Sequence, residues 1–315
     1  MTGTDDSGAD LVDRLAAAGL RASVLVRDLD TGGEVGLDPD RPWPLASLAK
    51  VAQALVVLDR VARRRLDGAA RVRVEPGRVD TPGPTGLTRF RHPAEVAVDD
   101  LVSLSVSLSD NAAADALFAL VPPDEVSDAL AGWGLTGLHV RHPFSALTRT
   151  PVELFSAADV DLAHSVAIGE GTEGGGHRLP QLDVARTNAG SARSLVDLLG
   201  VVWARGDDVG DARRPQPCPR PHPEARARLR GLLAANVHRH RLAPDLASDA
   251  ATWSSKTGTL LTLRHEVGVV EHRDGTRIAV AVLSGSRIAA SVQPAAEATL
   301  GAVARRLHDD LRDLA

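Results

Sequence analysis

T-W-S-S-K-T-G-T-L, Thr252 to Leu260, opens the last quarter of the chain, and its reading decides the architecture. With R-H-E-V-G-V-V-E-H (Arg264 to His272) and T-R-I-A-V-A-V-L-S-G-S (Thr276 to Ser286) it reads as three strands, the last two joined at the Asp274-Gly275 turn. The other end of the chain answers it. R-A-S-V-L-V-R-D-L-D (Arg21 to Asp30) alternates like a strand, and Thr31 to Gly33 turns it back into E-V-G-L (Glu34 to Leu37). An amphipathic helix, Asp10 to Leu20, precedes this hairpin, and another, Pro294 to Leu314, closes the chain. Strand pairs at both ends with helices between them predict an α+β fold. One antiparallel sheet of about five strands, flanked by helices, is built from residues 1–50 and 190–315, and residues 51–189 form an all-helical insertion.

The insertion starts from P-L-A-S-L-A-K-V, Pro44 to Val51, where a long apolar run predicts a largely buried helix over Ser47 to Leu66. A Pro- and Gly-rich stretch, Asp67 to Pro93, leads to helices at Val98 to Ser107, after Asn111, and from Pro122 to Trp133. His139 to Thr187 reads mainly as loop, including the glycine-rich tract Gly169 to His177, which no strand feeds and no G-K-[ST] closes. Helices are expected again at Asn188 to Val202 and Arg226 to His238.

A chain of 315 residues, 43% hydrophobic and 24% charged, can bury a large core. A net charge of -5 with dispersed arginines argues against nucleic acid, and Arg63 to Arg65 is read as a solvated helix face. No apolar run long enough for a membrane span and no secretory signal is seen, so the chain as given is expected to be cytoplasmic, secreted only if a signal was removed. Cys218 is the only cysteine, which excludes an internal disulfide and any cysteine-based zinc site. His238 and His240 have no third ligand in view, so neither metal nor cofactor is expected, and the chain is expected to be a monomer.

Lysine is the informative residue. Of 36 basic residues two are lysine, Lys50 and Lys256, and the rest are arginine. Arginine never deprotonates in a protein, so a site that needs a titratable amine must keep lysine. Lys50 lies three residues after Ser47, where it can serve as base to the serine hydroxyl if burial or a second cation lowers its pKa. Lys256 stands in K-T-G-T, Lys256 to Thr259.

Ser47-Leu48-Ala49-Lys50, Ser109-Asp110-Asn111 and Lys256-Thr257-Gly258-Thr259 stand in the order of the three motifs that mark class A β-lactamases and penicillin-binding proteins. The chain resembles these penicillin-recognising serine hydrolases from its first helix to its last, and most closely the class A branch. The resemblance implies a β-lactamase/transpeptidase-like fold and a small-molecule substrate that carries a carboxylate. It implies that Ser47 attacks the carbonyl, Lys50 takes its proton, and Ser109 relays a proton to the departing nitrogen. Asn111 would hold Lys50 and the substrate amide, and Lys256 would lower the proton affinity of Lys50 while attracting the carboxylate. Thr257 and Thr259 would bind that carboxylate, Gly258 would let substrate lie against the strand, and the N–H groups of Ser47 and Thr259 would form the oxyanion hole. Arg264, on the adjoining strand, is either a further carboxylate ligand or a solvent-facing arginine.

The resemblance breaks at the loop that carries the deacylating glutamate in class A enzymes. The matching stretch, His139 to Pro151, has no carboxylate. Glu153, Asp159, Asp161, Glu170 and Glu173 lie further along an extended omega-type loop spanning 139–187, and His142 is a further candidate base. The absence of any tyrosine excludes the branches whose second motif uses a tyrosine base. The expected activity is a serine hydrolase working through an acyl-serine on β-lactams or related amides and esters. A D-alanyl peptidase or esterase, and a non-catalytic penicillin-binding protein with slow deacylation, remain as alternatives.

Overall fold

The computed structural model describes residues 4–77, 85–147, 165, 166, 168, 176–205, 219–288 and 293–314. Its centre is a five-stranded sheet of β1 (Leu20–Asp28), β2 (Glu34–Leu37), β7 (Ala251–Leu260), β8 (Leu263–His272) and β9 (Arg277–Ser286), in the order β2-β1-β9-β8-β7. All four pairings are antiparallel, so both chain ends build one sheet as the strand patterns predict. Two short strands, β3 (Trp43–Pro44) and β6 (Ala189–Gly190), pair where the insertion leaves and rejoins the sheet. A further small pair joins β4 (Arg71–Val74) to β5 (Ala94–Ala97).

The two-residue period of a strand sends alternate side chains to opposite faces, and both faces are covered. Val24, Val26, Val280 and Val282 pack with Leu11 and Leu15 of α1 (Thr4–Ala17) and Leu300, Val303 and Leu307 of α9 (Pro294–Asp313). Leu25, Ala279, Ala281, Leu283, Val267 and Val269 face the helical side and join its core. That core gathers around α2 (Ala49–Ala62), whose residues from Ala49 to Asp59 are all buried. Around it lie α3 (Val98–Ser107), α4 (Asn111–Leu120) and α5 (Pro123–Gly132), with α6 (Ala192–Trp203) and α7 (Pro223–Ala234). A four-residue helix, α8 (Ala243–Leu246), packs on α9.

Three expectations need correction. The helix read from Ser47 begins at Ala49, because Ala46 adopts a left-handed φ of 48° and residues Ala46–Leu48 form a 3₁₀ turn instead. It ends at Ala62, so Arg63 is its C-cap and Arg64, with φ 57°, has already left it; the three arginines are not a helix face. The helix expected to reach His238 stops at Ala234, which leaves His238 on the segment leading to β7. Cys218 and the five loop carboxylates Glu153, Asp159, Asp161, Glu170 and Glu173 lie outside the described residues, as does most of the glycine-rich tract. Among the described residues no helix is long and apolar enough to cross a membrane.

Candidate active site

Three segments converge on one cleft. The 3₁₀ turn Ala46–Leu48 presents Ser47, and the first turn of α2 presents Lys50, which is fully buried. The turn between α3 and α4 supplies Ser109 and Asn111, and edge strand β7 supplies Lys256. Both turns hold a non-glycine residue at positive φ, Ala46 at 48° and Ser109 at 61°, a strained conformation that survives only where surrounding structure enforces it.

For the Ser109 turn the enforcing group is Asp110. Its buried carboxylate caps α4 by accepting from Ala112 N (2.9 Å) and Ala113 N (3.3 Å), and it also accepts from Thr88 Oγ1 (2.6 Å) and the Leu87 amide. For the Ser47 turn it is His265 on β8. Its Nδ1 accepts from Ser284 N (3.0 Å), so the proton sits on Nε2, which donates to Pro44 O (2.9 Å). Burial first of all drives its pKa down to about 3, which keeps that neutral tautomer in place. Gly258 completes the seat. A Cβ there would lie 3.0 Å from Leu45 O and 3.1 Å from Leu48 Cγ, so the glycine lets β7 press against the turn that carries the serine. Its bare face meets Leu45 and Leu48 of that turn.

The polar groups then connect. Lys50 Nζ lies 2.6 Å from Ser109 O, 2.6 Å from Asn111 Oδ1, 3.3 Å from Ser109 Oγ and 3.4 Å from Ser47 Oγ. Lys256 Nζ donates to Ser109 Oγ (2.9 Å) and to Thr257 O (2.8 Å). The pKa of Lys50 falls to about 7, with burial as the main cause and Asp110 and Asp115 opposing it. Lys256 is pulled well below the usual lysine value, by burial and then by the charge of Lys50. Lys50 thus depresses Lys256, whereas the low pKa of Lys50 itself comes from burial and not from the second cation that the sequence reading called for.

Other expected members stand elsewhere. Arg264 is 1% exposed and donates from Nη1 to Leu261 O and Leu263 O (both 2.7 Å), so its guanidinium is enclosed in the fold and does not line the cleft. The guanidinium that reaches the K-T-G-T strand belongs to Arg241, whose Nη2 donates to Thr259 Oγ1 (3.3 Å) and Glu297 Oε1 (2.7 Å). Thr259 is exposed, and Thr257 is buried beside it on the same face of the strand. His142 is not free to act as a base. Its Nε2 accepts from Asn188 N (3.3 Å) and lies 3.1 Å from Thr187 Oγ1, while Nδ1 meets Pro143 O (2.9 Å), so the ring clamps the loop.

What stands over the lysine is an aromatic ring. The Phe144 ring centroid is 4.6 Å from Lys50 Nζ, and the ring stacks on Phe118 at 5.7 Å. Asp115 on α4 fixes it there by accepting from Phe144 N (2.6 Å) and Ser145 N (2.8 Å), with its own pKa raised, chiefly by burial. Asp115, Phe144, Arg241 and His265 carry no motif and escape a reading of the sequence. Only Asp110 left a local sign, as an aspartate standing at a helix start.

Among the described residues no group of three or more His, Cys, Asp or Glu is placed to hold a metal ion. The arrangement is suited to generating a serine nucleophile beside an amine base, with a hydroxyl and a second amine on the far side. Comparison with known proteins places the chain by family and fold. The beta-lactamase regulatory protein BlaB of Streptomyces cacaoi is 57% identical over 307 residues, covering 96% of this chain and 97% of that protein. The structure of PBP-A superposes with a TM-score of 0.71 at 18% identity, covering 98% of this chain and 97% of that one. A beta-lactamase from Chitinophaga pinensis superposes with a TM-score of 0.71 at 19% identity, covering 97% and 99%. The model of the beta-lactamase enzyme family matches residues 9–311, and the chain belongs to that family.

Proposed function

We propose that the chain reacts through Ser47 with a β-lactam or a related carboxylate-bearing amide or ester, forming an acyl-serine. The observation that carries this reading is the unbroken polar path from Ser47 through Lys50 and Ser109 to Lys256, with steps of 3.4, 3.3 and 2.9 Å. A neutral amine has two N–H donors and one lone pair. In Lys50 the donors go to the two nearest acceptors, Ser109 O and Asn111 Oδ1, both at 2.6 Å, which leaves the lone pair for the serine hydroxyls. Ser47 Oγ attacks the carbonyl carbon as its proton passes to Lys50. Collapse of the adduct breaks the carbon–nitrogen bond, and the proton travels by Ser109 Oγ to the departing nitrogen. Lys256, donating to the same oxygen, favours the anionic character Ser109 gains in transit. Lys256, Thr257 and Thr259 on β7 supply donors for the substrate carboxylate.

The fate of the acyl group is set by Phe144. A carboxylate facing the ester would activate water against it, and among the described residues the Phe144 ring stands over Lys50 while Asp115 is engaged with the Phe144 and Ser145 amides. Deacylation is therefore slow, and the protein retains what it binds. The 57% identical relative, named a regulatory protein, favours a second reading in which the occupied site is itself a signal. Intact mass measured over time after adding benzylpenicillin tests both. A Ser47 adduct that persists for hours supports acylation with retention, and rapid release with nitrocefin turnover supports hydrolysis. No adduct with any lactam or activated ester, while a lactam still binds, removes the acyl chemistry and leaves the sensor.

A further inference from the structure

The last turn of α7 and the segment after it form a strut between the residues flanking Ser109 and Lys256. At one end Ser107 Oγ donates to Leu232 O (3.0 Å), Val237 N donates to Ser107 O (3.1 Å), and His238 Nε2 lies 3.3 Å from Leu108 O. At the other end stands Asn236, 2% exposed, which grips the backbone of His238 on both sides. Its Oδ1 accepts from His238 N (3.1 Å), and its Nδ2 donates to His238 O (3.2 Å) and to Ser255 Oγ (3.4 Å), next to Lys256. The histidine ring is thus held from β7 and reaches to the carbonyl immediately before Ser109.

A carbonyl oxygen only accepts, so the ring nitrogen facing Leu108 O carries the proton. Burial and then the charge of Lys256 keep the imidazole below its usual pKa, so at neutral pH it is an uncharged donor of fixed tautomer. Thr85 Oγ1 donates to the same carbonyl (2.7 Å). Between them they hold the peptide that leads into Ser109, whose φ of 61° it would not choose alone.

We propose that His238 is a positioning residue, whose Nε2–H fixes the Leu108 carbonyl and thereby keeps the Ser109 hydroxyl between Lys50 and Lys256. This rests on the reading of Ser109 as the proton relay in acylation. The test compares the full chain with His238→Leu, which fills space without a donor, and His238→Gln, which keeps an N–H in reach. Acylation of Ser47 by benzylpenicillin is followed by intact mass, and hydrogen exchange is measured over residues 105–112. His238→Leu slows the acylation step about tenfold with initial binding unchanged, as expected for one lost uncharged hydrogen bond. It also exchanges faster over the Ser109 turn, and His238→Gln restores both. A leucine variant with wild-type rate and exchange overturns the proposal, as does a glutamine variant no better than leucine. Exchange needs no chemistry. If wild-type Ser47 takes no label, the functional reading fails while the exchange comparison still decides the role of His238.

Discussion

At the scale of single residues, the site works only if Lys50 is a free amine. Its pKa of about 7 means that the acylation rate rises with pH through neutrality, since the lone pair appears as the ammonium loses its proton. A rate profile flat from pH 5 to 9 would remove Lys50 from the role of base. Ser47→Ala removes the hydroxyl proposed to attack, so intact mass should show no adduct even though the Ser109 hydroxyl also lies beside Lys50. Lys256→Met takes a 2.9 Å donor from Ser109, so acylation slows at every pH, while the rising limb, which burial of Lys50 sets, keeps its place. These positions were legible in the sequence because each demands one residue type: an amine that titrates, a hydroxyl that attacks. Scarcity of lysine made the demand visible.

At the scale of elements, the cleft depends on how closely β7 and β8 approach the turn that holds Ser47. Gly258→Ala brings a methyl to 3.0 Å from Leu45 O and forces the strand outward. A loss of about 1–3 kcal/mol is expected from overpacking, read by urea unfolding, together with slower acylation. His265 gives the same junction a pH dependence. Its folded pKa of about 3 lies below the ordinary histidine value, so the unfolded chain takes up a proton that the folded chain refuses. Its contribution is whole above about pH 6.5 and is lost as pH falls towards 3, with a slope approaching about 1.4 kcal/mol per pH unit. His265→Gln does not titrate and should flatten that part of the unfolding curve. None of this junction was readable in advance. The strands were, because alternation is local, but Pro44 and His265 lie 221 residues apart and meet only through the sheet's register. The early start given to α2 fails for a related reason. Apolar periodicity runs straight through Ala46–Leu48, and only packing against β7 turns that stretch into a strained 3₁₀ turn.

At the scale of the whole molecule, the family's fold is kept while the group above the lysine is an aromatic ring. Phe144 is buried, stacked on Phe118 and tied to Asp115, so its presence over Lys50 belongs to the core of the helical side and not to a passing conformation of the loop. Phe144→Glu tests what that ring decides. A glutamate there places a carboxylate near Lys50, which can activate water against the acyl-serine, and the adduct's lifetime shortens by about tenfold or more. The same charge stabilises the lysine ammonium, so the acylation profile must shift to higher pH as deacylation quickens. Losing a packed ring and burying a charge also costs stability, on the order of 3 kcal/mol. Phe144→Leu separates the effects, because it opens similar space without a base. If the leucine variant sheds its acyl group as fast as the glutamate variant, the ring merely blocks water. If only glutamate accelerates release, the chain has an acylating site complete except for a base, and a molecule built this way records an encounter with its ligand more readily than it consumes it.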